Sequence, residues 1–323
     1  MIFTAQMLAD WARELGFAEI GMCSVESFHH AQQIVESQET LAERKQLRFH
    51  PKDDLPKARS IAVLLWPYIP ACLGEGNNIF VDSYYKASNA AYHAARTLET
   101  KILETGCYAK ANVAYPAKEA AIRAGMGVIG RNSLLITPEY GSRVVIILMA
   151  TDIVLSEMTC SHVQGGCLDC GRCIKACPSG ALDEKGMTHP ERCLRNFTME
   201  GVVVPEALRT RIGMRMIGCD ICQRVCPMQK NTAQHGSPQY SLDEFVTEDL
   251  AAFSAAASRL ADEIGRNAAR PQRIRAQAAL LAGNSGQKKY LPVLHSWAQM
   301  PFPAIREHAL WAISQIESAG EQT

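Results

Sequence analysis

Cys167, Cys170, Cys173 and Cys177 are spaced C-x2-C-x2-C-x3-C with Pro178 following, and a second group, Cys193, Cys219, Cys222 and Cys226, again ends on a proline, Pro227. No other feature limits the fold of this chain as much, because thiols at such short fixed spacing wrap a metal centre. The first run is the one used by bacterial ferredoxins, in which three close thiolates grip one four-iron cluster and the fourth ligates the other. That fourth cysteine needs a second set, and the second group supplies it. The assignment that follows is Cys167, Cys170, Cys173 and Cys226 for one [4Fe-4S] cluster and Cys177, Cys193, Cys219 and Cys222 for the other. Structural zinc also uses C-x2-C pairs, but it takes four ligands per site and has no use for both Cys-Pro endings.

A disulfide framework is disfavoured by size. Such frameworks belong to short secreted chains that cannot bury a core, whereas this chain has 323 residues, 47% of them hydrophobic, enough for two or three domains. The remaining cysteines, Cys23, Cys72, Cys107 and Cys160, are scattered and read as small buried hydrophobes. The longest apolar stretch, from Ser60 to Leu73, is broken by Pro67 and Pro70, so nothing matches the roughly 20 uninterrupted apolar residues of a membrane helix. The first residues carry Asp10 and Glu14 and no basic leader, which predicts a soluble, cytoplasmic protein with no membrane partner.

Leu8, Trp11, Ala12 and Leu15 recur at helical spacing before Gly16, predicting an amphipathic helix with a glycine stop. Phe17 to Met22 and Ile61 to Trp66 read as strands, and Ala91, Ala95, Leu98 and Ile102 as one face of a helix. Pro116 and Gly125 bracket a further helix. The run SLLIT, the turn residues PEYG and the run RVVIILMA predict two strands joined by a tight turn. From Leu242 onward the pattern is helical, and Ile274, Arg275 and Ala278 recur as Ile305, Arg306 and Ala309, which suggests two helical-hairpin repeats of the HEAT kind. The fold class expected is α+β, with a mixed α/β domain over 1–155, a ferredoxin-like double-cluster domain over 156–236 and a HEAT-like helical domain over 237–323.

Gly125, Gly127 and Gly130 spell G-x-G-x-x-G, the fingerprint of dinucleotide binding when a strand precedes it and a helix follows. Here the expected helix precedes and the strand follows, so nicotinamide binding is set aside. The glycines instead let the backbone lie close to a flat ligand or a neighbouring strand. Charge is balanced overall, yet between Ile264 and Arg306 there is no acid while Arg266, Arg270, Arg273, Arg275, Lys288, Lys289 and Arg306 all lie there. That asymmetry points to an anionic partner or to a solvated helix face.

GMGVIGRNSLLITPEYGS, CLDCGRCIKACP, CLRNFTMEG and IGCDICQRVCP together resemble the epoxyqueuosine reductase family, and the first is also similar to the corrinoid-binding stretch of reductive dehalogenases. The match runs from about Leu8 to Cys226, and the helical tail resembles that family's HEAT-like end. The resemblance implies a cobalamin held base-off over a nitroreductase-like α/β domain, with the clusters passing electrons from an external low-potential donor. It places Gly130, Arg131, Asn132, Ser133, Leu134, Gly141 and Ser142 in the corrinoid-contacting stretch, and it implies a modified base in tRNA as substrate, the basic tail serving as contact. This chain departs from the family at the proton donor. The family's Asp, 14 residues before the first glycine, is Ala111 here, and its Asp-Tyr-His is Ala91, Tyr92 and His93. Opening an epoxide needs a proton on the leaving oxygen, and Tyr115 is the candidate, as reductive dehalogenases are similar in using a tyrosine. The alternatives are a corrinoid-dependent small-molecule reductase, dehalogenase-like or cobalamin-reducing, and a non-catalytic electron-transfer or corrinoid-handling protein.

Overall fold

A computed structural model describes residues 3–37, 47–73, 76–154, 166–229 and 240–320. Its centre is a four-stranded antiparallel sheet in the order Glu19–Ser24, Ser60–Pro67, Val144–Thr151, Ala109–Ala111. The two middle strands are the two continuous apolar runs of the sequence, and both faces of the sheet are covered, as such runs require. On one face the helices Ala5–Glu14 and Ser83–Leu103 pack Leu8, Ala91, Leu98 and Ile102 against Met149 and Ala111. On the other, Phe28, Tyr115, Ala120 and Ala121 close over Ile61, Val63 and Leu148. Gly16 lies at φ +102°, and a β-carbon there would fall on the Trp66 ring, so the helix stop meets the end of a middle strand at a residue that must be glycine.

The expected hairpin between SLLIT and RVVIILMA does not form. Leu135–Ile136 pairs instead with Val128–Ile129, and Val144–Thr151 goes to the middle of the large sheet. A single bridge, Thr137 to Gly141, remains of the turn. The reason is burial: the second run has no polar alternation, so it is stable between two covered faces and not at an edge.

Phe80–Val81 pairs in parallel with Arg215–Ile217, which ties the sheet domain to the cysteine segment. Ile79, Leu194, Met216, Phe245, Leu260, Leu280 and Ile316 share one apolar core, so residues 194–217 are continuous with the helical tail. The expected boundaries at 155/156 and 236/237 lie outside the described residues, as does Cys160. In the tail, Pro271–Ser285 and Pro303–Gly320 lie side by side and run parallel. His308 Nδ1 meets the Ala276 carbonyl at 2.8 Å, and a β-carbon on Gly283 would strike Ala312 at 2.8 Å. The repeated Ile274 and Ile305, and Ala278 and Ala309, are all buried. No helix among the described residues is long and apolar enough to cross a membrane.

Candidate cluster and cofactor site

The eight thiols fall into two neighbourhoods. Cys167, Cys170, Cys173 and Cys226 line one pocket together with Arg131, Asn132 and Ile136. In the other, burial pushes the Cys222 thiol well above the usual range, with Cys219, Cys193 and Cys177 as its next neighbours. Burial also pushes Cys219 up to about 11, and the nearby Cys193 adds to that shift. Cys173 is raised by burial and then by Cys226 and Cys167. Thiols held this way are stable as neutral groups unless a metal takes the proton's place, since the cluster-ligating form is the thiolate.

The donor set fits four-iron clusters. It is all cysteine, in two groups of four, with Cys173 the next neighbour of Cys222 across the two. Among the described residues, no group of three His, Cys, Asp or Glu is arranged to hold a single metal ion.

The glycine stretch is built into the wall of the first pocket. The helix Ala117–Arg123 ends before Gly125, which lies at φ +68°. A β-carbon at Gly127 would fall 2.4 Å from the Ile136 carbonyl, so the close approach is to a neighbouring strand. Residues 130–134 form the turn between the paired strands, with the Gly130 N–H donating to the Leu134 carbonyl at 2.9 Å and Ser133 at φ +57°. Arg131 reaches out of this turn to Asp169 at 2.7 Å and donates to the Glu184 carbonyl. Ser133 Oγ donates to the Gly186 carbonyl at 2.7 Å. The turn is thereby fastened to the start of the first cysteine run and to the loop that follows it.

Asn132 is buried in the same wall. Its Oδ1 accepts the Leu134 N–H at 3.2 Å, while its Nδ2 has no partner. A buried amide donor without an acceptor costs about 1–3 kcal/mol, and a ligand with acceptor groups is the simplest remedy. Gly141 and Ser142 are used differently. The space beside Gly141 is filled by the Met228 carbonyl, and Ser142 accepts from Gln229, so both contact the cysteine segment.

Tyr115 is 4% exposed and stacked on Phe28, and its hydroxyl donates to Asp54 at 3.1 Å. Burial, and then this carboxylate, raise its pKa. It is not among the residues that line the pocket. Ala91 and Ala111 belong to one apolar cluster between the sheet and the helix Ser83–Leu103, so the two positions at which the resemblance expects carboxylates have become core together.

Sequence reasoning missed a buried polar seam under the second cysteine group. Tyr68 donates to Gln223 at 3.0 Å, Arg224 pairs with Asp220 at 2.7 Å, and Arg224 Nη2 also donates to the Ala71 carbonyl at 2.6 Å. Asp82 caps the helix Ser83–Leu103 through the Tyr84 N–H, and burial, then Asp220, push its carboxyl up to about 7. The one available signal was Asp before a helix; nothing marked it as buried beside a second acid.

Of the seven basic residues in the acid-free tail, Arg275 turns inward over Phe253, with its guanidinium 4.3 Å from the ring centre, and Lys289 pairs with Asp243 at 2.5 Å. Arg270 is exposed at the start of Pro271–Ser285, Arg273 stands near it, and Arg306 lies at the start of the parallel helix. Lys288 follows the far end of Pro271–Ser285, about 22 Å along that helix from Arg270.

Residues 166–229 match the 4Fe-4S double cluster binding domain. The chain is 28% identical to the epoxyqueuosine reductase of Bacillus subtilis (strain 168) over 340 residues, covering 96% of this chain and 86% of that protein. It superimposes on a selenomethionine-labelled epoxyqueuosine reductase with TM-score 0.80 at 26% identity, covering 98% of this chain and 94% of the other. An epoxyqueuosine reductase bound to an epoxyqueuosine-modified tRNA stem loop superimposes with TM-score 0.78 at 25% identity and the same coverage. The mixed α/β fold and the double-cluster segment are thus those of solved epoxyqueuosine reductases.

Proposed function

We propose that this chain, related to the epoxyqueuosine reductases over nearly its whole length, is a cobalamin-dependent iron-sulfur reductase of that type, acting on epoxyqueuosine in tRNA. The observation that carries the reading is the shared pocket, where four thiols of the double-cluster segment face Arg131 and Asn132 of the glycine-rich turn. A cluster held by these four thiols would lie directly beside the proposed cofactor and supply it with electrons.

In this reading Cys167, Cys170, Cys173 and Cys226 hold the cluster next to the cofactor, and Cys177, Cys193, Cys219 and Cys222 hold the one that receives electrons from an external low-potential donor. Bound cobalamin would supply low-valent cobalt for the reductive opening of the epoxide. The chain's own part is to bind and orient it. Asn132 offers its free amide, and Gly130, Ser133 and Leu134 shape the turn. Arg131 keeps that turn on the cluster loop. Gly141 and Ser142 hold the cysteine segment against the sheet.

The proton for the leaving oxygen is assigned to Tyr115. Its hydroxyl proton is held against Asp54, and the assignment rests on the resemblance to reductive dehalogenases. We read the α/β domain as nitroreductase-like and the tail as two HEAT-like repeats, the latter supported by the parallel stacking of the two long helices. Arg270, Arg273 and Arg306 at their N-terminal ends suit a phosphate backbone.

The test is anaerobic purification and reconstitution, metal analysis, and turnover of epoxyqueuosine-containing tRNA with a low-potential reductant. About eight irons and one cobalt per chain, with conversion to queuosine, are expected. A cobalt-loaded protein that leaves the tRNA unchanged but reduces a small substrate would transfer the reading to a corrinoid-dependent small-molecule reductase.

A further inference from the structure

The two Cys-Pro endings are not equivalent. After Cys177 comes Pro178 and then Ser179; after Cys226 comes Pro227 and then Met228. Ser179 Oγ lies 3.6 Å from Cys177 Sγ, and the Ala181 N–H donates to the same sulfur at 3.3 Å. Met228, at the matching position, has no hydroxyl to offer.

As free groups, the thiol and the hydroxyl could each donate to the other. A cluster-ligating cysteine is a thiolate without a proton, so in the loaded protein the hydroxyl must donate. Reduction of a [4Fe-4S] cluster adds one electron, drawn here from the external low-potential donor, and that negative charge spreads onto the cysteine sulfurs. A hydrogen bond to sulfur is therefore stronger in the reduced cluster than in the oxidised one, and it raises the reduction potential.

We propose that Ser179 is a positioning residue of the electron path, which sets the potential of the Cys177-ligated cluster above the value that cluster would otherwise have and so makes the two clusters electronically unequal. This rests on the double-cluster reading. Iron content is therefore measured first; a chain without about eight irons sinks that reading, whereas a fully loaded chain leaves Ser179 to be judged by itself.

The experiment is an anaerobic redox titration followed by electron paramagnetic resonance on the full chain, comparing wild type, Ser179→Ala, Ser179→Thr and Met228→Ser. The cluster held by Cys177 is identified as the signal altered by Cys177→Ser. Ser179→Ala is expected to lower the reduced-to-oxidised ratio of that cluster several-fold at a fixed potential, tenfold corresponding to about 59 mV for one electron. The other cluster should not move, and Ser179→Thr should restore the wild-type value. Met228→Ser should shift the other cluster in the positive direction. Unchanged potentials in Ser179→Ala, equal shifts of both clusters, or no rescue by threonine would overturn the proposal. If Ser179→Ala cannot hold its cluster, Met228→Ser decides, and no positive shift there refutes the mechanism.

Discussion

Gln229 Nε2 donates to Ser142 Oγ at 2.6 Å, and one residue away the Met228 carbonyl fills the place of a side chain at Gly141. The end of the cysteine segment is thus pressed backbone to backbone onto the lead-in of the central strand. Gly141 has φ +57°, a left-handed conformation that alanine adopts only at a cost. Gly141→Ala should destabilise the protein by about 2 kcal/mol or more and loosen Cys226 in particular. Anaerobic denaturant melts and the signal of the Cys226-ligated cluster check this; wild-type stability with an undisturbed signal would mean that the close approach is not needed.

The proposed shared-cysteine arrangement would make Cys177→Ala selective. It should damage the cluster of Cys193, Cys219 and Cys222 and leave that of Cys167, Cys170, Cys173 and Cys226 largely intact. Iron content near half of wild type, with one surviving spectroscopic signal, is the expected result. Survival of the cluster bound by Cys219 instead would reverse the ligand assignment.

Ala111 and Tyr115 decide the proton. Tyr115→Phe removes one hydroxyl and keeps the ring against Phe28; if Tyr115 is the donor, kcat on epoxyqueuosine tRNA falls about 100-fold or more. A variant less stable by about 1 kcal/mol but with wild-type turnover would make Tyr115 a packing residue. Ala111→Asp, which restores the acid that the resemblance expects, should raise turnover above wild type, at a stability cost of a few kcal/mol, because the carboxyl enters an apolar cluster.

Lys288 and the arginines should separate in RNA binding. Neutralising Arg270 and Arg273 should flatten the slope of log affinity against log salt by about two units, while Lys288→Ala, at the other end of the helix, should leave it unchanged. Fluorescence anisotropy with labelled tRNA across a salt series measures this. An equal effect of Lys288→Ala would show that the whole length of the tail is in contact.

His308 gives a pH dependence. Its Nε2 accepts the Val204 N–H at 2.9 Å and its Nδ1 faces the Ala276 carbonyl, so the neutral ring is the one that fits, and burial pushes its pKa down to about 4. Because the folded value lies below the ordinary one near 6.5, the stability it contributes is present above pH 6.5 and is lost as pH falls towards 4. Between pH 7 and pH 5 that loss is about 2 kcal/mol. Denaturant midpoints of wild type should fall over this interval by more than those of His308→Gln; parallel behaviour of the two would remove His308 from the acid response.

The sequence carried the cysteine pattern, the two central strands and the helical tail because each is local: short spacings, long apolar runs, unbroken 3.6-residue periods. It failed where pairing is decided by burial across the chain. Nothing in SLLIT says that its partner is Val128–Ile129 and not the run that follows. Likewise Arg275 looks like a surface charge in a basic stretch, and only packing shows it lying over Phe253. Ser179 was invisible for another reason, since its proposed role depends on a sulfur two residues away that becomes a cluster ligand only when metal is bound.

The pocket of Cys167, Cys170 and Cys173 takes its fourth wall from Cys226, which the chain reaches only after passing through the helices Leu194–Glu200 and Glu206–Ile212 and the strand Arg215–Ile217. A cluster held there would act as a clasp across a long loop, its insertion following the folding of those elements against the tail. Maturation of the metal centre and completion of the tail's core would then be one event, and a chain truncated within the tail should emerge iron-poor even though every cysteine is present.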